Sequence, residues 1–127
     1  MKWEANHEVM LGRELLLMKP YNFKPGTKES GAAWTAVADD LNKITEIKFN
    51  VNQKSVRDHT KTMIANHKRK MRNQIADSGS VENPTELDLL LAEISNEMDE
   101  AAEKYENMNT NKKKEEVTFS YLKNYIT

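Results

Sequence analysis

Cysteine is absent from the 127 residues, which excludes disulfide frameworks, thiolate metal sites and thiol nucleophiles. Glycine and proline are scarce, at 4 and 3. Gly12, Gly26, Gly31 and Gly79 are scattered, and none belongs to a phosphate-cradling loop. No apolar run exceeds four residues, residues 15–18 and 89–92 being examples, whereas a membrane span needs about 20. The opening residues carry charge and amide groups instead of an apolar signal core, so a soluble intracellular chain is expected, with no membrane partner. His7, His59 and His67 have no metal-ligand spacing, and His67 falls on an apolar helical stripe, where a buried structural role is expected. With no catalytic constellation in view, the expectation is a non-enzyme without cofactors.

What the chain does have is charge, at 31% of residues, and it is sorted along the sequence although the net is only −1. Residues 48–72 hold Lys48, Lys54, Arg57, Lys61, Lys68, Arg69, Lys70 and Arg72 against Asp58 alone. Residues 81–106 hold nine Asp and Glu against Lys104 alone. Such separation fits a polyanion-facing half and a second half with another task; two solvated faces that neutralise each other fit it as well.

Periodicity predicts four helices. The first spans about residues 3–18, with Met10, Leu11, Leu15 and Met18 at helical spacing, and stops before Pro20. Residues 20–31 contain Pro25 and Gly26 and form a loop that Tyr21 and Phe23 pack onto the core. The second starts near Ser30, capped by Thr27 or Ser30, and repeats Trp34, Val37, Ala38 and Leu41 on one face. The third starts near Asn52 and meets no Pro or Gly before Gly79, so its far end is expected to project from a small domain. The fourth starts at Asn83-Pro84-Thr85-Glu86, read as Asn83 cap, Pro84 in first position and Glu86 reaching back, and continues to about Met108. Residues 109–127 are not assigned.

The third helix has two opposed stripes. Val56, Thr60, Met63, His67 and Met71 mark the core side, and Lys54, Arg57, Asp58, Lys61, Ala65, Lys68 and Arg72 the other. The acids that commonly pair such cations one turn away are nearly missing, so the stripe reads as a surface for duplex DNA, whose major groove admits a helix.

Trp3 with Glu4 and Glu8, the run Trp34-Thr35-Ala36-Val37-Ala38-Asp39-Asp40-Leu41, and Gln53-Lys54-Ser55-Val56-Arg57-Asp58-His59-Thr60 carry a resemblance. Together residues 3–75 resemble a Myb/SANT-like domain of the long-looped trihelix kind, found in plant factors and in invertebrate or transposon-linked proteins. The resemblance implies a helix-turn-helix whose third helix enters the major groove. On that mapping Lys54, Arg57, Asp58 and Lys61 face bases, with Arg57 suited to guanine and Asp58 to cytosine or to orienting Arg57. Lys48, Lys68, Arg69 and Arg72 then hold phosphates. Two departures stand out: Thr60 replaces the third tryptophan of a standard repeat, and the connection over residues 20–29 is longer than usual.

Leu87, Leu91, Ile94, Met98, Ala101, Tyr105 and Met108 draw a coiled-coil-like seam on the acidic fourth helix. Three uses stay open: folding back on the domain's own core, a homodimer, or another protein partner through residues 85–108. The expected architecture is all-α: a three-helix domain over residues 1–76, with Trp3, Leu11, Trp34, Val37, Leu41, Val56 and Met63 in its core, plus an acidic amphipathic helix over residues 83–108. The expected function is sequence-specific duplex-DNA binding in the nucleus, as a transcription regulator or transposon-associated protein. The alternative is a SANT-type adaptor acting through the acidic helix. That helix is also expected to weaken non-specific phosphate binding, a role that its deletion would expose.

Overall fold

The computed structural model describes the backbone of residues 1–78 and 83–117 and the side chains of residues 1–76 and 83–105. Within them lie four α-helices, α1 (Ala5–Met18), α2 (Lys28–Asn42), α3 (Gln53–Ser78) and α4 (Glu86–Val117), with a 3-10 turn at Pro20–Asn22. No strand occurs among the described residues. Of the unassigned residues 109–127, those up to 117 continue the α4 backbone, and the remainder lie outside the described residues.

Side chains set the helix boundaries by satisfying the amides and carbonyls that helix ends leave free. At α1 the Glu4 N–H donates to His7 Nδ1 (3.1 Å), which leaves the proton on Nε2 to be donated to the Lys48 carbonyl (2.9 Å). One imidazole thus ties the start of α1 to the connection between α2 and α3. Thr27 caps α2 by accepting from the Ser30 N–H (3.2 Å). Asn52 and Ser55 cap α3 reciprocally, Ser55 N–H to Asn52 Oδ1 (2.8 Å) and Asn52 N–H to Ser55 Oγ (2.9 Å). α4 starts two residues later than expected. Thr85 is the cap, its Oγ1 accepting from the Asp88 N–H (3.1 Å), while Asp88 Oδ2 accepts from the Thr85 N–H (3.0 Å). A Thr with an acid three residues on closes a capping box that Asn83 and Glu86 do not, and Asn83 sits before it at φ 50°.

Leu11, Leu15, Val37, Leu41 and Val56 are fully buried, and Trp34 and Met63 nearly so. Trp3 packs against this core without being fully enclosed by it. It precedes α1, is only partly buried, and stacks on His59 of α3 with ring centroids 4.1 Å apart and planes within 4°. Its indole packs at the rim of the core beside Phe49 (ring centroids 6.1 Å apart), and Phe49 and Val51 of the α2–α3 connection are buried members of the cluster. The Asn42 side chain pins that connection by bonding both the N–H (3.0 Å) and the carbonyl (2.8 Å) of Val51.

The core does not close at residue 76. Leu91 and Ile94 of α4 are buried in the same cluster as Leu11, Leu15 and Met63, and Leu87 and Met98 pack against it. α4 runs parallel to α1, pairing Glu86 with Arg13 and Glu97 with Lys19, and antiparallel to α3, pairing Asp88 with Lys70 and Asp99 with Lys68. Gly12 permits the close approach to α1, since a Cβ there would stand 3.3 Å from Leu90 Cδ1. α4 lies alongside α3 as far as Met71, with His67 buried and Met71 partly covered. Beyond it Arg72, Asn73, Ile75 and Ala76 are exposed, so only the last turns of α3 stand clear of the core.

Candidate nucleic-acid interface and an adjoining cleft

Packing of Val56, Thr60, Met63, Ile64 and His67 inward forces the opposite side of α3 outward, because residues two positions away lie roughly 200° around the helix. Lys54, Asp58, Lys61, Arg69 and Arg72 are exposed there, and Arg57 is half-buried at the edge. Among the described residues, none of Lys54, Arg57, Lys61, Arg69 and Arg72 has a carboxylate within ion-pair distance. Arg69 bonds only the amide oxygen of Asn66 (2.8 Å). Two further cations of α3 are paired with acids of α4. Lys68 reaches Asp99 (3.3 Å) and Lys70 reaches Asp88 (3.0 Å). Of the residues expected on phosphates, Arg69 and Arg72 share the open face, Lys68 is engaged by α4, and Lys48 stands apart beside His7 on the α2–α3 connection.

Burial and neighbours tune several groups around this surface. Burial pushes the Asp88 carboxyl up, but the Thr85 backbone N–H, Lys70 and the Thr85 side chain together bring it below the usual carboxylate value. Burial lowers the His67 pKa, with Asp88 opposing and Lys70 adding to the shift, so His67 is held neutral; its Nδ1 is buried without a hydrogen-bond partner. The carboxylates of α4 differ in their surroundings. Glu97 is turned inward to Lys19 and to the Tyr21 hydroxyl, which donates to it (3.1 Å), whereas Asp99 stays largely in water.

Beside the basic face lies a cleft of about 300 Å³ between the residue 20–26 loop, α2, α3 and α4. Tyr21, Phe23, Trp34, Met98 and Tyr105 form its wall, and Arg57 and Lys61 stand on the α3 side. Phe23 is not packed into the core as expected; it is 43% exposed and borders this cleft. Gly26 lines the same loop at φ 82°, a left-handed conformation that glycine adopts freely. Sequence reasoning missed the cleft because its wall comes from four separate segments. The only early signal was a pair of aromatics in a loop, where periodicity carries no information.

No protein-family model, curated protein or solved structure matches the chain. Geometry and charge therefore carry the functional argument. Among the described residues no three His, Asp or Glu side chains converge as a metal site would require.

Proposed function

We propose that the protein binds duplex DNA, with α3 as the helix presented to the major groove in a Myb/SANT-like helix-turn-helix manner. The observation that carries this reading is the outward face of α3: Lys54, Arg57, Lys61, Arg69 and Arg72 without a carboxylate partner among the described residues, and Asp58 as the one acid between them. A face of one sign this dense repels itself in isolation, and phosphates relieve that repulsion while releasing counterions. The half-buried stem of Arg57 gives its guanidinium a fixed origin, which a bidentate guanine contact needs. Lys54, Asp58 and Lys61 complete the base-facing set, and Arg69 and Arg72 hold phosphates farther along. A chromosomal target places the protein in the nucleus, as a regulator of transcription or of a transposon.

The adaptor reading loses ground because the apolar stripe of α4 is used inside the fold. A partner for Leu91 and Ile94 would have to displace α4 from the core.

Binding of random and selected duplexes across a salt series tests the proposal. With roughly five phosphates engaged, log affinity falls against log salt with a slope near −4 to −5. Replacing Arg57 and Lys61 by Ala should cost about 1–3 kcal/mol for each base contact and flatten the preference for selected sites. Absence of binding at low salt, or a double variant that binds like the parent, overturns the reading.

A further inference from the structure

The cleft beside α3 joins an aromatic wall to two cations. Its wall is built from Tyr21, Phe23, Trp34, Met98 and Tyr105, and no Asp or Glu lines it, in a chain with 20 acids. Two cations do, and neither Arg57 nor Lys61 has a carboxylate partner among the described residues. The nearby acid of α4, Glu97, is committed elsewhere, to Lys19 and the Tyr21 hydroxyl. We infer that this cleft is a binding site for a small aromatic carboxylate, its ring against Phe23 and Trp34 and its charge on Arg57 and Lys61.

Size and polarity select that class. A volume of about 300 Å³ is at the small end of ligand pockets and suits one or two fused rings. Edge-to-face and offset contacts with aromatic walls reward a flat ring, and Arg and Lys at the border of an apolar wall reward one negative group. A nucleobase fits less well, because its polar edge needs several donors and acceptors, and of the four hydroxyls lining the cleft only those of Ser30 and Tyr105 are uncommitted among the described residues. The Thr60 hydroxyl already donates to the Val56 carbonyl (2.8 Å), and the Tyr21 hydroxyl to Glu97. The site stands independently of the DNA reading, although Arg57 and Lys61 belong to both.

Amide-shift titration of the full chain with 2-naphthoate tests the inference, with 2-naphthalenemethanol and adenosine monophosphate as controls. The expected result is saturable binding with Kd of about 0.1–1 mM, the range open to a ligand of that size, with shifts centred on Phe23, Trp34 and Arg57. Kd should rise at least about tenfold in an Arg57→Gln/Lys61→Gln variant, whose exposed or edge positions leave the core intact, and also in Phe23→Ala. Equal binding of the neutral alcohol, tighter binding of adenosine monophosphate, shifts centred elsewhere, or no loss in the double variant would overturn it.

Discussion

Glu14 faces Asp40 across the α1–α2 contact, and burial, the hydrogen bond with Asp40 and repulsion between the two carboxylates push its pKa from 4.5 up to about 7. A raised carboxyl pKa means that the folded state prefers the protonated form. Its contribution to stability is therefore complete below pH 4.5 and is lost as pH rises through about 7. Glu14→Gln fixes the neutral form, so at pH 8 the variant should be more stable than the parent, by on the order of 1 kcal/mol or about 4 °C in midpoint. Below pH 4.5 the two should melt together; equal midpoints at pH 8 would show that Glu14 is solvated instead. Lys19 illustrates the opposite economy. Its left-handed backbone (φ 49°) costs roughly 1 kcal/mol, and the ion pair with Glu97 and the N–H bond to the Leu15 carbonyl (2.8 Å) hold it there.

At the scale of elements, α4 serves α3 as a neighbour and as a local counter-charge. The Asp99 side chain is 65% exposed and among the described residues pairs with Lys68 alone, so Asp99→Asn changes charge with little effect on packing. On the DNA reading, that variant should bind random duplex about 2–5-fold more tightly and steepen the salt slope by up to about 1, as Lys68 becomes available. Unchanged binding in a salt series would mean that α4 does not moderate the basic face. Deleting α4 cannot ask this question, since it would also remove Leu91 and Ile94 from the core. The four helices were legible because each has a clean stripe of 3.6-residue period, and caps such as Thr27 and Asn52 are short-range signals. What covers the α4 stripe was not legible: Leu87, Leu91, Ile94 and Met98 draw the same pattern for a second copy as for the chain's own α1 and α3. Gly12, read only as a scattered glycine, marks the contact that decides it, where a Cβ would crowd Leu90. The basic face followed from spacing alone, whereas its division between open cations and those held by Asp88 and Asp99 depends on a helix nearly 20 residues or more away in sequence.

At the scale of the molecule, residues 1–78 are not a complete core. A chain ending there would leave Leu11 and Leu15 facing water where Leu91 and Ile94 now pack, and each lost side chain is worth roughly 1.5–3 kcal/mol of burial. Against a typical net stability of about 5–15 kcal/mol, such a fragment should lose its cooperative thermal transition and its near-ultraviolet circular dichroism, while a chain ending at residue 117 keeps both. A fragment that melts as sharply as the full chain would show that the three helices suffice. The pairing of the first helix with the last also bears on how the protein is made. Arg13 waits for Glu86, 73 residues later, and Lys19 for Glu97, 78 residues later. At translation speeds of about 5–20 residues per second, the apolar side of α1 spends roughly 4–15 s outside any finished core. Leu11 and Leu15 are then a target for nascent-chain chaperones, and a slow codon stretch before α4 would lengthen that exposure without changing a single residue of the product.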